Sequence, residues 1–63
     1  MKNVNYYKQQ RIESYANIAL GYDLRISQIS ALACKVCDEF GGDYEDTLHA
    51  LLKAIDNLET TIY

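Results

Sequence analysis

The chain has 63 residues, a net charge of −3, 49% apolar residues, three glycines and no proline. A chain this short makes one domain near the lower limit of independent folding and buries only ~60% of its unfolded surface. Its apolar content excludes a disordered segment, and its shortage of turn residues excludes a many-stranded β fold. The expectation is a single all-α domain over residues 1–63. The opening MKNVNYYKQQRIES lacks the apolar run of a signal peptide, no stretch approaches the ~18 apolar residues of a membrane span, and two cysteines do not make a secreted disulfide framework. A cytoplasmic location is expected, with no membrane contact.

The charge is uneven. Residues 1–25 carry Lys2, Lys8, Arg11 and Arg25 against Glu13 and Asp23, a balance of +2, whereas residues 26–63 carry seven carboxylates against Lys35 and Lys53, a balance of −5. The acidic part disfavours nucleic acid, whose phosphates need clustered cations.

The first helical stretch runs from about Asn5 to Leu20. Ile12, Tyr15, Ala16 and Ala19 form one stripe; Tyr7, Arg11, Ile18 and Tyr22 form a second, over 100° away around the helix. A helix apolar on two sides is either sandwiched or presents an interface. Gly21 and Asp23 then read as a turn, with Gly21 closing the first helix and Asp23 capping the next. A competing reading is open here. Positions 12, 15, 19, 22, 26, 29, 33, 36 and 40 keep heptad phase through Gly21, as one long helix would, and an interior glycine costs only ~1 kcal/mol.

Ile26, Ile29, Ala33, Val36 and Phe40 form the seam of the second helix, widened by Leu32, and Gly41 and Gly42 end it. A short hairpin leads to the third helix, whose seam is Tyr44, Leu48, Leu51, Ile55, Leu58 and Ile62. Asp43 precedes it as N-cap, Asp46 occupies the capping-box position, and Glu45 and Asp46 suit the positive end of the helix dipole. Two architectures follow: a small three-helix bundle with a tight hairpin between helices two and three, or a long-helix hairpin that dimerises into a four-helix bundle.

Little here carries chemistry. Cys34 and Cys37 are spaced C-x-x-C inside a regular amphipathic helix, close to its negative end and beside Asp38 and Glu39, where a thiolate is disfavoured. A closed zinc site needs four ligands, and the chain adds only His49 on another helix, so zinc would require two C-x-x-C pairs from a dimer. Small packing residues in a strip with Ser27, Ser30 and Ala31 are the plainer reading. His49 falls on the wet face one turn after Glu45. No phosphate loop, zinc-protease motif or calcium loop is present. Neither an enzyme nor a cofactor is expected.

Two features exceed what a minimal bundle needs. Asp38 and Glu39 lie at the negative end of the second helix, where the dipole opposes them by ~0.3–1 kcal/mol each. Six tyrosines against one phenylalanine and no tryptophan form the other surplus. Tyr7, Tyr22, Ile18 and Arg11 are residue types suited to a protein interface. The candidate interface is therefore Tyr7, Arg11, Ile18, Tyr22, Asp38 and Glu39.

In its short, acidic, helical character, without catalytic signatures, the chain resembles the small accessory proteins of the early regions of temperate lambdoid phages. That resemblance implies action by binding a host protein. The chain is also similar in size and helical content to the Rop-type RNA-binding hairpin, from which its charge balance and off-centre Gly41–Gly42 turn depart. The expectation is a non-catalytic protein-interaction module, a regulator or inhibitor, with a homodimer among its assemblies. The alternatives are a dimeric nucleic-acid-binding regulator with a basic face of Lys2, Lys8, Arg11 and Arg25, and a zinc-bridged dimer through Cys34 and Cys37.

Overall fold

A computed structural model describes residues 4–62 and contains three helices: α1 (Val4–Tyr22), α2 (Ile26–Phe40) and α3 (Tyr44–Ile62). They form a small three-helix bundle in which α1 packs on both other helices, most extensively on α3. The chain measures 36 × 25 × 16 Å.

The turn between α1 and α2 settles the choice between one long helix and two. Glycine does not make it. Gly21 is inside α1, and the left-handed residue is Asp23, with φ of 53°. The Leu24 N–H donates to the Ala19 carbonyl at 3.0 Å, the long closing bond of a Schellman motif with Asp23 one residue past the helix cap. Aspartate tolerates this conformation better than most side chains. Leu24 turns inward to pack on the core that contains Ala19, the apolar contact that accompanies the motif. Arg25 then precedes α2 in an extended conformation, and its N–H donates to Gln28 Oε1 at 2.9 Å. Asp23 thus closes α1 instead of capping α2.

The break also corrects the expected seam. Ile26, placed in the core by periodicity, is 63% exposed, and Tyr22 is 77% exposed. Heptad phase across residues 21–26 is preserved in the sequence, but the turn takes Ile26 out of the seam, while Tyr22 lies on the outer stripe of α1.

Gly41 and Gly42 form the second corner as expected. Gly41 has φ 81° and ψ −171°, Gly42 has φ 100°, and the Gly41 N–H closes α2 on the Cys37 carbonyl at 2.7 Å. Asp43 caps α3 as expected: its Oδ2 accepts from the Asp46 N–H at 3.1 Å.

Among the described residues, the buried apolar ones are Ile12, Ala16 and Ala19 of α1, Ile29, Ala33 and Val36 of α2, and Leu51 of α3. Three are alanines, which let helix backbones approach closely but contribute little apolar area each. On α3 the buried face is rotated from the expected seam toward Thr47, only 2% exposed, whose hydroxyl donates to the Asp43 carbonyl at 2.9 Å. Leu48, Ile55 and Leu58 are half-buried against the core, whereas Tyr44 is exposed. The rotation follows from α3 meeting α1 as well as α2. Ile62 belongs to the helix, but its side chain lies outside the described residues.

Candidate functional site

The sequence places Tyr7, Arg11, Ile18 and Tyr22 on one outer stripe of α1, and the fold leaves that stripe uncovered. Tyr7, Ile18 and Tyr22 are exposed, and Tyr6 beside Tyr7 is exposed too. The Tyr6 and Tyr7 rings meet edge to face with centroids 5.5 Å apart. Positions four apart on a helix are neighbours, so Ile18 and Tyr22 form a continuous pair.

Arg11 has a different situation. Its guanidinium donates to Glu39 Oε2 at 2.8 Å and lies about 6 Å from the ring centroids of Tyr15 and Phe40 (5.9 and 6.0 Å). The Tyr15 side chain first, and the Glu39 charge second, raise the Arg11 pKa above its ordinary value. One turn earlier, Lys8 Nζ donates to the Gly41 carbonyl at 3.0 Å. Two cations of α1 therefore meet the negative end of α2, the arrangement that a helix C-terminus favours. This supplies the compensation for Glu39 that local sequence does not. Asp38, its neighbour, is exposed.

Tyr7, Gln10, Arg11, Glu39 and Phe40 line a shallow pocket of about 350 Å³ between α1 and the end of α2. The two halves of the expected interface, the tyrosine strip and the acidic corner, thus meet at one end of the molecule through Tyr7, Arg11 and Glu39. Ile18 and Tyr22 lie two and three turns further along α1. Past the turn, at the start of α2, Ile26 is a further exposed apolar residue, one that sequence periodicity assigns to the core.

A second groove, of about 430 Å³, runs between α1 and α3 over Ala50 and Ala54, with Gln9, Glu13, Asn17 and Lys53 along its sides. Asn17 Nδ2 donates to the Glu13 carbonyl at 3.0 Å and Gln9 Nε2 contacts Glu13 Oε2 at 3.4 Å, so these walls are partly tied to α1 itself. Periodicity does not reveal the groove; the small residues Ala50 and Ala54, one turn apart, are the signal that points to it.

The cysteines are free, Cys34 exposed and Cys37 half-buried, and His49 is exposed on α3. Among the described residues, no three His, Cys, Asp or Glu side chains group as a metal set. Of the four expected basic-face residues, Lys8 and Arg11 are engaged within the chain, Arg25 is exposed, and Lys2 lies outside the described residues. No described helix is long and apolar enough to cross a membrane. Comparisons with protein-family models, curated proteins and solved structures find no match.

Proposed function

We propose that the chain is a small, non-catalytic, cytoplasmic protein-interaction module, a regulator or inhibitor that binds a cellular protein through the outer face of α1. The observation that carries this reading is the exposure of Tyr6, Tyr7, Ile18 and Tyr22 on one helix of so small a bundle. Tyrosine anchors with a nearby Arg11 fit the residue types that dominate binding energy at protein interfaces. The acidic corner at Asp38 and Glu39 borders the Tyr7 end and would steer a basic partner surface. The resemblance to phage accessory proteins implies that the partner is a host protein.

Engagement of Lys8 and Arg11 by Gly41 and Glu39 weighs against a nucleic-acid reading, which needs those cations free for phosphates. The test is capture from lysate with tagged wild-type chain beside a Tyr7→Ala, Ile18→Ala, Tyr22→Ala variant, followed by mass spectrometry. A protein retained by wild type and lost by the variant supports the reading. An identical bound set for both would remove α1 as the binding face. A salt-dependent gel shift with mixed RNA or DNA would favour the nucleic-acid alternative. About half a zinc per chain in the purified protein would favour the metal-bridged dimer.

A further inference from the structure

We infer that the turn at residues 23–25 is a hinge through which α1 is exchanged between two copies of this chain, giving a dimer in which residues 4–40 run as one helix. The partner is a second copy, and the contacts it makes are those that already hold the single chain together. The inference stands apart from the reading of the outer face of α1 and draws on none of its residues.

Register is the first support. Ile12, Ala19, Ile26 and Ala33 stand seven residues apart, across two helices and the turn between them. Ile12, Ala19 and Ala33 are buried, and of the four only Ile26 is exposed, at 63%. Ile29 and Val36, each three residues after a member of that series, are buried as well. Two helices joined by a turn can face each other at any relative phase, because the turn sets the second axis afresh. A continuous helix has no such freedom. In an exchanged dimer the two continuous helices lie side by side, so both halves of each must turn one face to the mate. The buried residues of α1 and α2 meet that condition, and straightening returns Ile26 to the face that holds Ala19 and Ala33.

The hinge itself is the second. Asp23, with φ of 53°, is the one non-glycine residue with positive φ among those described. Passing into a helix relieves that conformation, and Asp23, Leu24 and Arg25 include no glycine or proline to oppose a helix. The other corner behaves differently. Gly41 and Gly42 both hold positive φ and break the chain in either form, so α2 and α3 stay together and only α1 is exchanged.

Burial is the third. Opening the turn takes Leu24 off the core and brings Ile26 into cover, one four-carbon side chain for another, so apolar burial at the hinge is nearly even. Every other contact of α1 is made again on the second copy. A short connection under conformational strain, with closed and open forms so balanced, is the setting in which small domains swap.

The test is sedimentation of the full-length chain after refolding from urea at successively higher concentrations, with circular dichroism reporting helix content. Wild type should pass from 7.2 kDa to twice that mass. Asp23→Gly eases the left-handed residue and weakens the long helix, so it should raise the dissociation constant at least about tenfold. Asp23→Ala does the reverse at both hinges of a dimer and should lower it about a hundredfold. Ile26→Glu should raise it while the single chain keeps its helicity, since that side chain is covered only in the exchanged form. A 7.2 kDa species alone at every wild-type concentration would overturn the inference. A dimer that holds or tightens its dissociation constant in Asp23→Gly would overturn it too, because closed chains touching by their surfaces behave in that way.

Discussion

At the scale of single residues, Gly41 carries the most demanding backbone conformation. With φ 81° and ψ −171° it occupies a region that is essentially reserved for glycine, because a Cβ would collide with the local backbone. Open space around it does not help: nothing lies within 4 Å of a Cβ built there, so the penalty is purely conformational. Gly41→Ala should destabilise the fold by about 1–3 kcal/mol, read as a lower urea midpoint. Gly21 is the opposite case. It is inside α1, and an added Cβ would meet nothing within 4 Å. Gly21→Ala should raise stability by about 0.5–1 kcal/mol, seen as a higher melting temperature. The two glycine corners were not equally legible. Consecutive glycines after an apolar run have few other uses, so Gly41 and Gly42 announce their turn. Gly21 mimics the same signal but does not act on it, because Asp23 and the inward pull of Leu24 close the helix two residues later. Thr47 was illegible for another reason. Patterning counts it as polar, yet its hydroxyl is satisfied by the carbonyl four residues back, which frees it to be buried.

At the scale of helices, the termini show which interactions are local and which are not. Asp43 acts on the N–H three residues ahead, and such a cap can be read from a short window. Asp43→Ala should cost about 1 kcal/mol, measured as a lower midpoint in chemical denaturation. Glu39 is compensated by Arg11, 28 residues earlier, and no window around residues 38 and 39 contains that information. The ion pair is exposed, so Arg11→Met should change stability by less than about 1 kcal/mol, and the difference from wild type should shrink in high salt. The same pairing explains why the candidate site was only half legible. Residue types pointed to Tyr7, Ile18 and Tyr22, while the joining of Tyr7, Arg11 and Glu39 into one pocket depends on how α1 crosses the end of α2. Ile26 was misplaced because periodicity assumes a continuous helix axis, and the axis changes at Asp23.

For the molecule as a whole, the dominant packing is between α1 and α3, the two elements furthest apart in sequence. The α2–α3 hairpin alone would therefore lack much of its cover, and α1 alone would have nothing to bury against. Folding should be a single cooperative event. Urea unfolding followed by circular dichroism and by tyrosine fluorescence should give coincident transitions, with a slope near ~1 kcal/mol/M, at the low end for small proteins. Separate transitions for the two probes would show that α1 docks on a hairpin already folded. The all-α class and the number of helices followed from composition and spacing. Which pair packs most closely did not, since periodicity gives the width of an apolar face and not its neighbour.

The left-handed Asp23 has a consequence for how this protein can vary. With residues 23–25 straightened, the apolar positions from Ile12 to Phe40 would run as one uninterrupted ridge, about 40 Å long at 1.5 Å per residue. No single copy could cover such a ridge with α3 alone. The chain thus stands one three-residue turn away from a different architecture, and Asp23 at the hinge has a side chain that tolerates both conformations. A β-branched residue at position 23 would resist the left-handed conformation. Drift at that one position would then move the molecule from folding back on itself toward a core shared between chains, with every other apolar residue unchanged.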